Sequence, residues 1–560
     1  MIHMIHMIRW LRSFLSNREA RVRLNGTLSN CRSMRQGLPQ GSVLSPLLFL
    51  FYINTLAEIL PTRNTNCMFA DDVGILATHE NREVANTDAQ EAVDVVLKWS
   101  KIWRLSLNAS KSEVAYFTNW SQEADWKPTI MIDGEKIAFT KSPRLLGVHL
   151  DRQLTFASHT ITVCKSANSS CRILSALSHS TWGWKKEYLV KVFHCLIKSK
   201  LGYSAAAWQG NIAECHKKKL DAAQNRGLRL ITGQFKDTPL EALRAEARIP
   251  SYRTQSDRSL LISKEKALRQ DEQHPRRRAF DDSLPKRLKS EKNHNLASKT
   301  SQLAARHGLE VLSSSRKPLR YFELAPWLDD KLTNVFPHVP GLKSKDEDVL
   351  LRRALSYAAI LALEADLVLY SDGSASNGTD KGGAGVVVTY GNAESPIVID
   401  TLMKRGSILT SSYNEEHTAM HLALDWIDDN CLPEEVIAIV TDSKSLCDAL
   451  HGYGSDTKML RRRLLTSRAK VVVQWVPGHS GVEGNELADT AAKAATLLDE
   501  DPTEIPYGCA RSLIKRSIND DISSHARSEE VYSKLSAKKE AEIKSREDQV
   551  LLARLRSGHH

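Results

Sequence analysis

The sequence predicts a multidomain chain that combines α/β and α+β architecture. Its 560 residues exceed what one hydrophobic core usually organises. Strand-like and helix-like segments alternate between residues 361 and 500, which predicts a mixed β-sheet with flanking helices. Residues 136–270 show apolar side chains at helical spacing, whereas residues 1–135 mix helix-like and hairpin-like segments. Residues 271–360, rich in charge, serine and proline, predict a linker, and residues 501–560 predict a charged helical tail.

The charge of the chain indicates a polyanionic partner. The net charge is +11, and residues 185–231 hold ten basic against three acidic side chains. Clustered positive charge of this kind attracts nucleic-acid phosphates. Nine cysteines without a CxxC spacing indicate reduced thiols, and the first residues lack the apolar core of a signal peptide. We therefore expect a protein of the nucleus or cytoplasm, neither secreted nor bound to a membrane.

Acidic residues in the α/β stretch occur where metal ligands converge. Asp372 and Asp442 each end a predicted strand. Glu416 opens a predicted helix, and Asp489 lies in the last one. Strand ends at one edge of a sheet converge, and paired Mg²⁺ ions need several oxygen ligands. His479, on a glycine-flanked loop, suits proton transfer. Taken singly, each aspartate is more commonly a cap or turn residue, so only the set predicts a metal site.

The motifs around these residues are YSDGS, EHTA, TDS and PGHSGVEGNELAD, in that order. Together they resemble the type 1 ribonuclease H family. The resemblance implies a ribonuclease H fold that cuts the RNA strand of an RNA–DNA hybrid with two Mg²⁺ ions, for which Mn²⁺ can substitute. The metal ligands that it implies are Asp372, Glu416, Asp442 and Asp489, with His479 assisting catalysis. Glu415 stands next to Glu416, and we choose Glu416 because the family pattern places an alanine three residues later, at Ala419.

Two segments near the N-terminus have a possible role in polymerase chemistry. In MFADDVG, a strand that turns and returns would place Asp71 and Asp72 at a hairpin tip. Carboxylates at such a tip can hold a metal, but nucleotidyl transfer by two metals needs a third carboxylate. Upstream, RQGLPQG places Gly37 and Gly41 before an apolar helix, where glycine lets a base or sugar approach closely. Alone, the first segment is most often a solvated turn, and the second is a helix entry with an N-terminal turn.

Together with LSLNASKSEV and RLLGVHLD, these segments resemble the reverse transcriptase palm of jockey-like non-LTR retrotransposons. The resemblance implies a partial palm in residues 1–135 and a thumb-like region in residues 136–270. It makes Asp71 and Asp72 metal ligands, and the substrate contacts that it implies are Gly37, Gln40, Gly41 and Lys111. The family carries its third metal-binding aspartate on a strand upstream of QGLPQG. The acidic residues before Asp71 in this sequence are Glu19, upstream of that segment, and Glu58, in or just after the helix that follows it. We therefore expect the chain alone to lack polymerase activity.

Three functions follow from these patterns. The first is hydrolysis of RNA in hybrids, with RNA–DNA hybrid and template RNA and DNA as partners. The second is a catalytically inert nucleic-acid-binding remnant of a retroelement. The third is a partial reverse transcriptase complemented in trans by other proteins of the element. The complete set of carboxylates favours the first function.

Overall fold

The chain divides into two compact units, residues 1–162 and 163–560. Among the helices that can be described, none is both long and apolar enough to cross a membrane. The structure, a computed structural model, describes residues 2–280, 296–313, 315–319, 332–342, 348–452, 457–518, 543 and 545–557.

The first unit combines helices with short two-stranded sheets. Its helices are α1 (Ile2–Leu15), α2 (Ser45–Ile59) and α3 (Arg82–Ile102). Its strands are β1 (Glu19–Ala20), β2 (Arg23–Leu24), β3 (Thr27–Leu28), β4 (Arg32–Ser33), β5 (Thr65–Phe69), β6 (Asp72–Leu76), β7 (Glu113–Val114), β8 (Met131–Ile132), β9 (Glu135–Lys136), β10 (Ala138–Phe139), β11 (Arg144–Leu145) and β12 (Val148–His149). Strands β9 to β12 therefore fall at the start of the stretch for which the sequence predicts helices.

Helices α2 and α3 pack on the hairpin of β5 and β6. A proline in the first turn of α2 suits the helix start, because its missing N–H would have no partner there. Ile53 and Leu56 of α2 join Val96 and Trp99 of α3 in one buried cluster. The Trp99 Nε1 donates to the Thr55 hydroxyl at 3.0 Å. This cluster supports the hairpin that carries Asp71 and Asp72.

The second unit begins with a helical region, as the apolar spacing predicts. Helix α4 (Ala157–Leu177) has the predicted bounds, and the predicted Lys185–Leu201 helix is observed as α5 (Lys186–Phe193), a π-helical turn (His194–Lys198) and α6 (Ser199–Gly202). The helices before the sheet are α4 (Ala157–Leu177), α5 (Lys186–Phe193), α6 (Ser199–Gly202), α7 (Ala205–Trp208), α8 (Glu214–Thr232), α9 (Leu240–Ala247), α10 (Tyr252–Leu268), α11 (Pro275–Arg278), α12 (Leu296–Arg306) and α13 (Val349–Leu361).

A mixed six-stranded sheet with flanking helices follows, which confirms the predicted fold class. The strands are β13 (Val335–Phe336), β14 (Leu367–Ser376), β15 (Asp380–Tyr390), β16 (Ile397–Arg405), β17 (Val436–Thr441) and β18 (Lys470–Trp475). Their order across the sheet is β13-β18-β17-β14-β15-β16. The pairs β14–β15 and β15–β16 are antiparallel, whereas β14–β17, β17–β18 and β13–β18 are parallel.

Helices cover both faces of this sheet. The remaining helices are α14 (Ser412–Asn430), α15 (Lys444–His451), α16 (Lys458–Thr466), α17 (Glu483–Ala495), α18 (Tyr507–Ser517) and α19 (Arg546–Arg556). Because successive strand residues point to opposite faces, Leu369 packs with α14, α15 and α16, and Tyr370 packs with α13 and α17. The central strands of the sheet are therefore buried on both sides between two apolar clusters.

Residues outside 361–500 also belong to these cores. Strand β13, from the predicted linker, extends the sheet and buries Val335 in the cluster with α14. Helix α18, from the predicted tail, packs with α10 through Ile514 and Leu260. In α19, Arg546 donates through Nη2 to the Leu230 carbonyl of α8 at 3.0 Å. The predicted tail helix is thus observed over α19, and residues 519–542 lie outside the described residues.

Candidate active site

The backbone of the sheet brings strand and helix carboxylates together. Asp372 lies inside β14, which continues to Ser376 rather than ending at Asp372 as the sequence suggested. Asp442 directly follows β17, the parallel neighbour of β14. The next residue after Asp372 is Gly373, where a Cβ would lie 2.0 Å from the Glu416 backbone nitrogen. Glycine thus lets the first turn of α14 lie against β14, which places Glu416 beside Asp372.

Three carboxylates, two of them buried and one half-buried, form a compact cluster. The ligand oxygens of Asp372, Glu416 and Asp442 lie within 4.8 Å of one another. Asp372 is 7% exposed and Glu416 is 6% exposed. The Thr441 hydroxyl lies 3.4 Å from Glu416 Oε2, and the Asn485 amide donates to Asp442 Oδ2 at 3.5 Å. This arrangement brings several carboxylate oxygens, which carry negative charge when ionised, into a small volume.

The surroundings of the cluster disfavour the ionised form of its three carboxyl groups. Burial, followed by the charge of Asp442, raises the pKa of Asp372 to about 6. Burial, followed by the charges of Asp372 and Asp442, raises the pKa of Glu416 well above its usual range. Burial also raises the pKa of Asp442, although the hydrogen bond from Asn485 partly offsets this effect. A bound cation would remove this cost, and an all-oxygen carboxylate set suits a hard divalent ion.

Asp489 and His479 belong to a second, more open group. The ligand atoms of His479, Glu486 and Asp489 lie within 4.8 Å of one another. His479 is exposed at a backbone φ of 50°, and its Nδ1 lies 4.0 Å from Glu486 Oε2. Asp489 pairs with Lys493, whose Nζ lies 2.6 Å from Oδ2. The charge of Asp489 contributes to the raised pKa values of both Asp372 and Asp442, so the two groups are electrostatic neighbours.

Sequence reasoning did not assign Asn485, Glu486 or Lys493 to this site. All three lie on α17, and they stand four residues before, three before and four after Asp489. Residues at these spacings share one face of a helix. That periodicity was the signal by which they could have been found, since the motif GNELAD contains two of them.

Glu415 and Glu416 occupy different places. Glu415 is 2% exposed and accepts a hydrogen bond from the Ser407 backbone nitrogen at 3.4 Å. A Cβ on Gly382 or Gly406 would lie 2.3 Å from the Glu415 carboxylate, so both glycines leave room for it. Only Glu416 of the two lies in the carboxylate cluster, in agreement with the choice made from sequence.

The polymerase-like residues lie in open surroundings. Asp71 sits in the turn between β5 and β6, after Ala70 at a φ of 51°, and Asp72 starts β6 opposite Phe69. Both aspartates are exposed at the tip of the hairpin, as predicted. Among the residues that the structure describes, neither belongs to a group of three or more metal-ligating side chains.

The other residues of the polymerase resemblance lie on the surface of the first unit. Gly37 and Gly41 have φ values of 76° and 88° before α2, a conformation that favours glycine. Gln40 between them is exposed. Lys111 is exposed at the end of a 3₁₀ turn whose Asn108 side chain accepts from its backbone nitrogen at 3.1 Å. The structure leaves the substrate role of these residues a prediction.

A mixed sheet with a carboxylate cluster beside its central strands is typical of the class of proteins that bind divalent metal ions through carboxylate oxygens. Comparison with known proteins narrows this class. Residues 364–496 match the family described as RNase H, and residues 2–150 match the family described as reverse transcriptase (RNA-dependent DNA polymerase). A ribonuclease H of Chromohalobacter salexigens is 35% identical over 147 residues, which cover 23% of this chain and 84% of that protein. Over residues 364–496 the chain therefore belongs to the ribonuclease H family.

The similarity to retrotransposon proteins is partial. The RNA-directed DNA polymerase from mobile element jockey of Drosophila funebris is 29% identical over 230 residues, which cover 40% of this chain and 25% of that protein. The probable RNA-directed DNA polymerase from transposon BS of Drosophila melanogaster is 30% identical over 232 residues, again with 40% and 25% coverage. The chain thus spans about a quarter of the length of the curated polymerases it matches. The predicted order, a reverse transcriptase segment followed by a ribonuclease H domain, is confirmed.

Proposed function

We propose that this chain hydrolyses the RNA strand of RNA–DNA hybrids at the cluster of Asp372, Glu416 and Asp442. The observation that carries the proposal is the approach of three carboxylates, two of them buried, to within 4.8 Å on a ribonuclease H sheet. Their raised pKa values show that the cluster is costly without a cation, which supports metal-dependent chemistry. Mg²⁺ is the ion that we assign, with Mn²⁺ as a substitute.

The side chains divide the work by position. Asp372, Glu416 and Asp442 would hold the metal, and Asp489 would add a ligand from the more open group. When bound, two such ions activate a water and stabilise the leaving 3′-oxygen. His479 is exposed, with its Nδ1 4.0 Å from Glu486 Oε2, and its imidazole would transfer a proton close to the departing group.

The basic helical region provides a surface for the substrate. Lys218, Lys219 and Arg226 are exposed on α8. Lysine and arginine side chains at such positions contact nucleic-acid phosphates without reading sequence. We assign the RNA–DNA hybrid and template RNA and DNA as partners, together with other proteins of the element, in the nucleus or cytoplasm.

The reverse transcriptase segment takes a passive role in this proposal. Asp71 and Asp72 present two carboxylates, and the described residues add no third acidic, histidine or cysteine ligand to them. Nucleotidyl transfer by two metals needs more ligands than this pair supplies. Polymerase activity would then need a further metal ligand besides Asp71 and Asp72.

The test is cleavage of an end-labelled RNA strand annealed to DNA, in Mg²⁺, by the full chain and two variants. Asp442→Asn removes a cluster charge, and Asp448→Asn removes an exposed charge from the neighbouring helix α15. We expect cleavage by the wild type and Asp448→Asn, none by Asp442→Asn, and none of single-stranded or duplex RNA. A folded, hybrid-binding wild type that leaves the RNA intact would instead support the inert binding protein.

A further inference from the structure

The first turn of α14, which directly precedes Glu416, is attached to the chain that follows the ribonuclease H match. The Asn414 side chain donates to the Cys509 sulfur at 3.0 Å. The Thr503 backbone nitrogen donates to the Gly406 carbonyl at 3.2 Å. Gly406 precedes Ser407, whose backbone nitrogen is the hydrogen-bond donor to buried Glu415. The residues before and within the first turn are therefore both tied to residues 503–509.

Residues 503–509 are in turn held by one buried arginine of the helical region. Arg269 follows α10, and its side chain is 0% exposed. Its Nη1 donates to the Lys317 carbonyl at 3.1 Å and also to the Ile505 carbonyl. Glu265 holds the guanidinium in place through a 3.4 Å contact with Nη2. The short backbone pairing of residues 315–317 with Ile505 completes this junction.

Apolar packing joins the same elements. Leu409, from the loop before α14, lies in one buried cluster with Leu260 of α10, Ile505 and Cys509. The loop before α14 is thus packed on the far side by the helical region. Removing Arg269 takes a buried charged donor away from both carbonyl groups and leaves the Ile505 carbonyl with the Lys317 backbone nitrogen as its donor, which loosens the segment.

We infer that Arg269 is a positioning residue for the metal site of the nuclease. It acts through Ile505 and the 503–509 segment on the first turn of α14, and so on the place of the Glu416 carboxylate. Residues that orient metal ligands without contacting the metal typically change metal affinity or activity by about 10–100-fold when they are substituted. The inference rests on the proposed function only for the identity of the metal site, and it makes the helical region a structural part of the nuclease.

The experiment measures Mg²⁺ binding to the full chain by titration calorimetry without nucleic acid. Arg269→Met removes the donor at similar volume, and Arg269→Lys keeps the charge with fewer donors. The matched control is Arg556→Met. Arg556, on α19, is also buried, and its Nη1 lies 3.2 Å from Glu246 Oε2. Asp372→Asn identifies the heat that belongs to the cluster. Thermal unfolding of each variant measures the stability change.

We expect Arg269→Met to raise the Mg²⁺ Kd by about 10-fold and Arg269→Lys to raise it less. Arg556→Met should lower the unfolding temperature by about as much as Arg269→Met does, but it should leave the Mg²⁺ Kd at the wild-type value. Equal Mg²⁺ Kd values in Arg269→Met and the wild type, or equal changes in Arg269→Met and Arg556→Met, would overturn the inference. In those cases Arg269 serves general stability only.

A second variant covers the case in which Arg269→Met does not fold. Cys509→Ala removes the sulfur that accepts from Asn414 with little change in volume. It should raise the Mg²⁺ Kd in the same direction by a smaller factor, and an unchanged Kd would count against the inference. Failure of the proposed function is separate: it would appear as Mg²⁺ binding that depends on Asp372 without any hybrid cleavage.

Discussion

The chain contains two sets of neighbouring carboxylates whose surroundings differ. Asp71 and Asp72 stand exposed at the tip of a two-stranded hairpin. Asp372 and Glu416 are buried between a sheet and a helix and share their cluster with Asp442. Because burial raises the pKa of Asp372 and Glu416, their cluster carries an electrostatic cost that a cation can relieve. A metal site thus needs the support of packed elements as well as acidic residues.

Neutralising one carboxylate in each set tests most directly whether the two sets differ in function. Asp372→Asn should lower hybrid cleavage on the order of 1000-fold, since metal assistance contributes several kcal/mol. Asp72→Asn should leave the cleavage rate unchanged. Initial rates on labelled hybrid at saturating Mg²⁺ measure both. A comparable loss in both variants would mean that the hairpin takes part in the nuclease.

The glycines beside the two sets offer the next comparison. A Cβ at Gly373 would meet backbone atoms of α14, whereas a Cβ at Gly74 would meet the Cys67 sulfur at 2.6 Å. Gly373→Ala should therefore cost about 3 kcal/mol or more, and Gly74→Ala less, because a side chain can move aside. Denaturant unfolding measures both, with Gly508→Ala as a control that meets no atom within 4 Å. A Gly373→Ala chain as stable as this control would contradict the close approach of α14.

The pH dependence of stability separates a buried acid from the rest of the chain. Asp372 has a usual pKa of 3.8 and a folded pKa of about 6, so the folded state binds the proton more tightly. The metal-free chain should therefore lose stability as pH rises from about 4 to about 6, by at most about 1.4 kcal/mol per pH unit for this group. Denaturant unfolding in EDTA at several pH values gives the slope for the wild type and Asp372→Asn. Identical slopes in the two proteins would contradict the raised pKa, and added Mg²⁺ should stabilise the wild type more at the higher pH.

The sequence predicted the parts of this molecule that depend on local pattern. Helix α4 begins and ends as the apolar spacing indicates, and Glu416 rather than Glu415 lies in the cluster. Strand β13 was not predicted, because a two-residue strand has no detectable alternation. The contacts of Arg269 with Ile505 could not be predicted either, since residues 236 positions apart meet only through the tertiary fold.

Two ion pairs of equal length make the last and smallest comparison. Lys493 Nζ lies 2.6 Å from Asp489 in the nuclease, and Lys101 Nζ lies 2.6 Å from Asp133 in the first unit. Both lysines are more than half exposed, so each pair should add no more than about 1 kcal/mol to stability. Lys493→Ala and Lys101→Ala should therefore unfold at nearly the same denaturant concentration as the wild type.

Their effects should differ in Mg²⁺ titration, because Lys493 competes with a cation for Asp489 and Lys101 has no such neighbour in the cluster. A lower Mg²⁺ Kd in Lys493→Ala alone would show that the position of an ion pair, rather than its strength, decides its effect on metal binding. Equal Kd values in both variants would show that Asp489 stays outside the metal site.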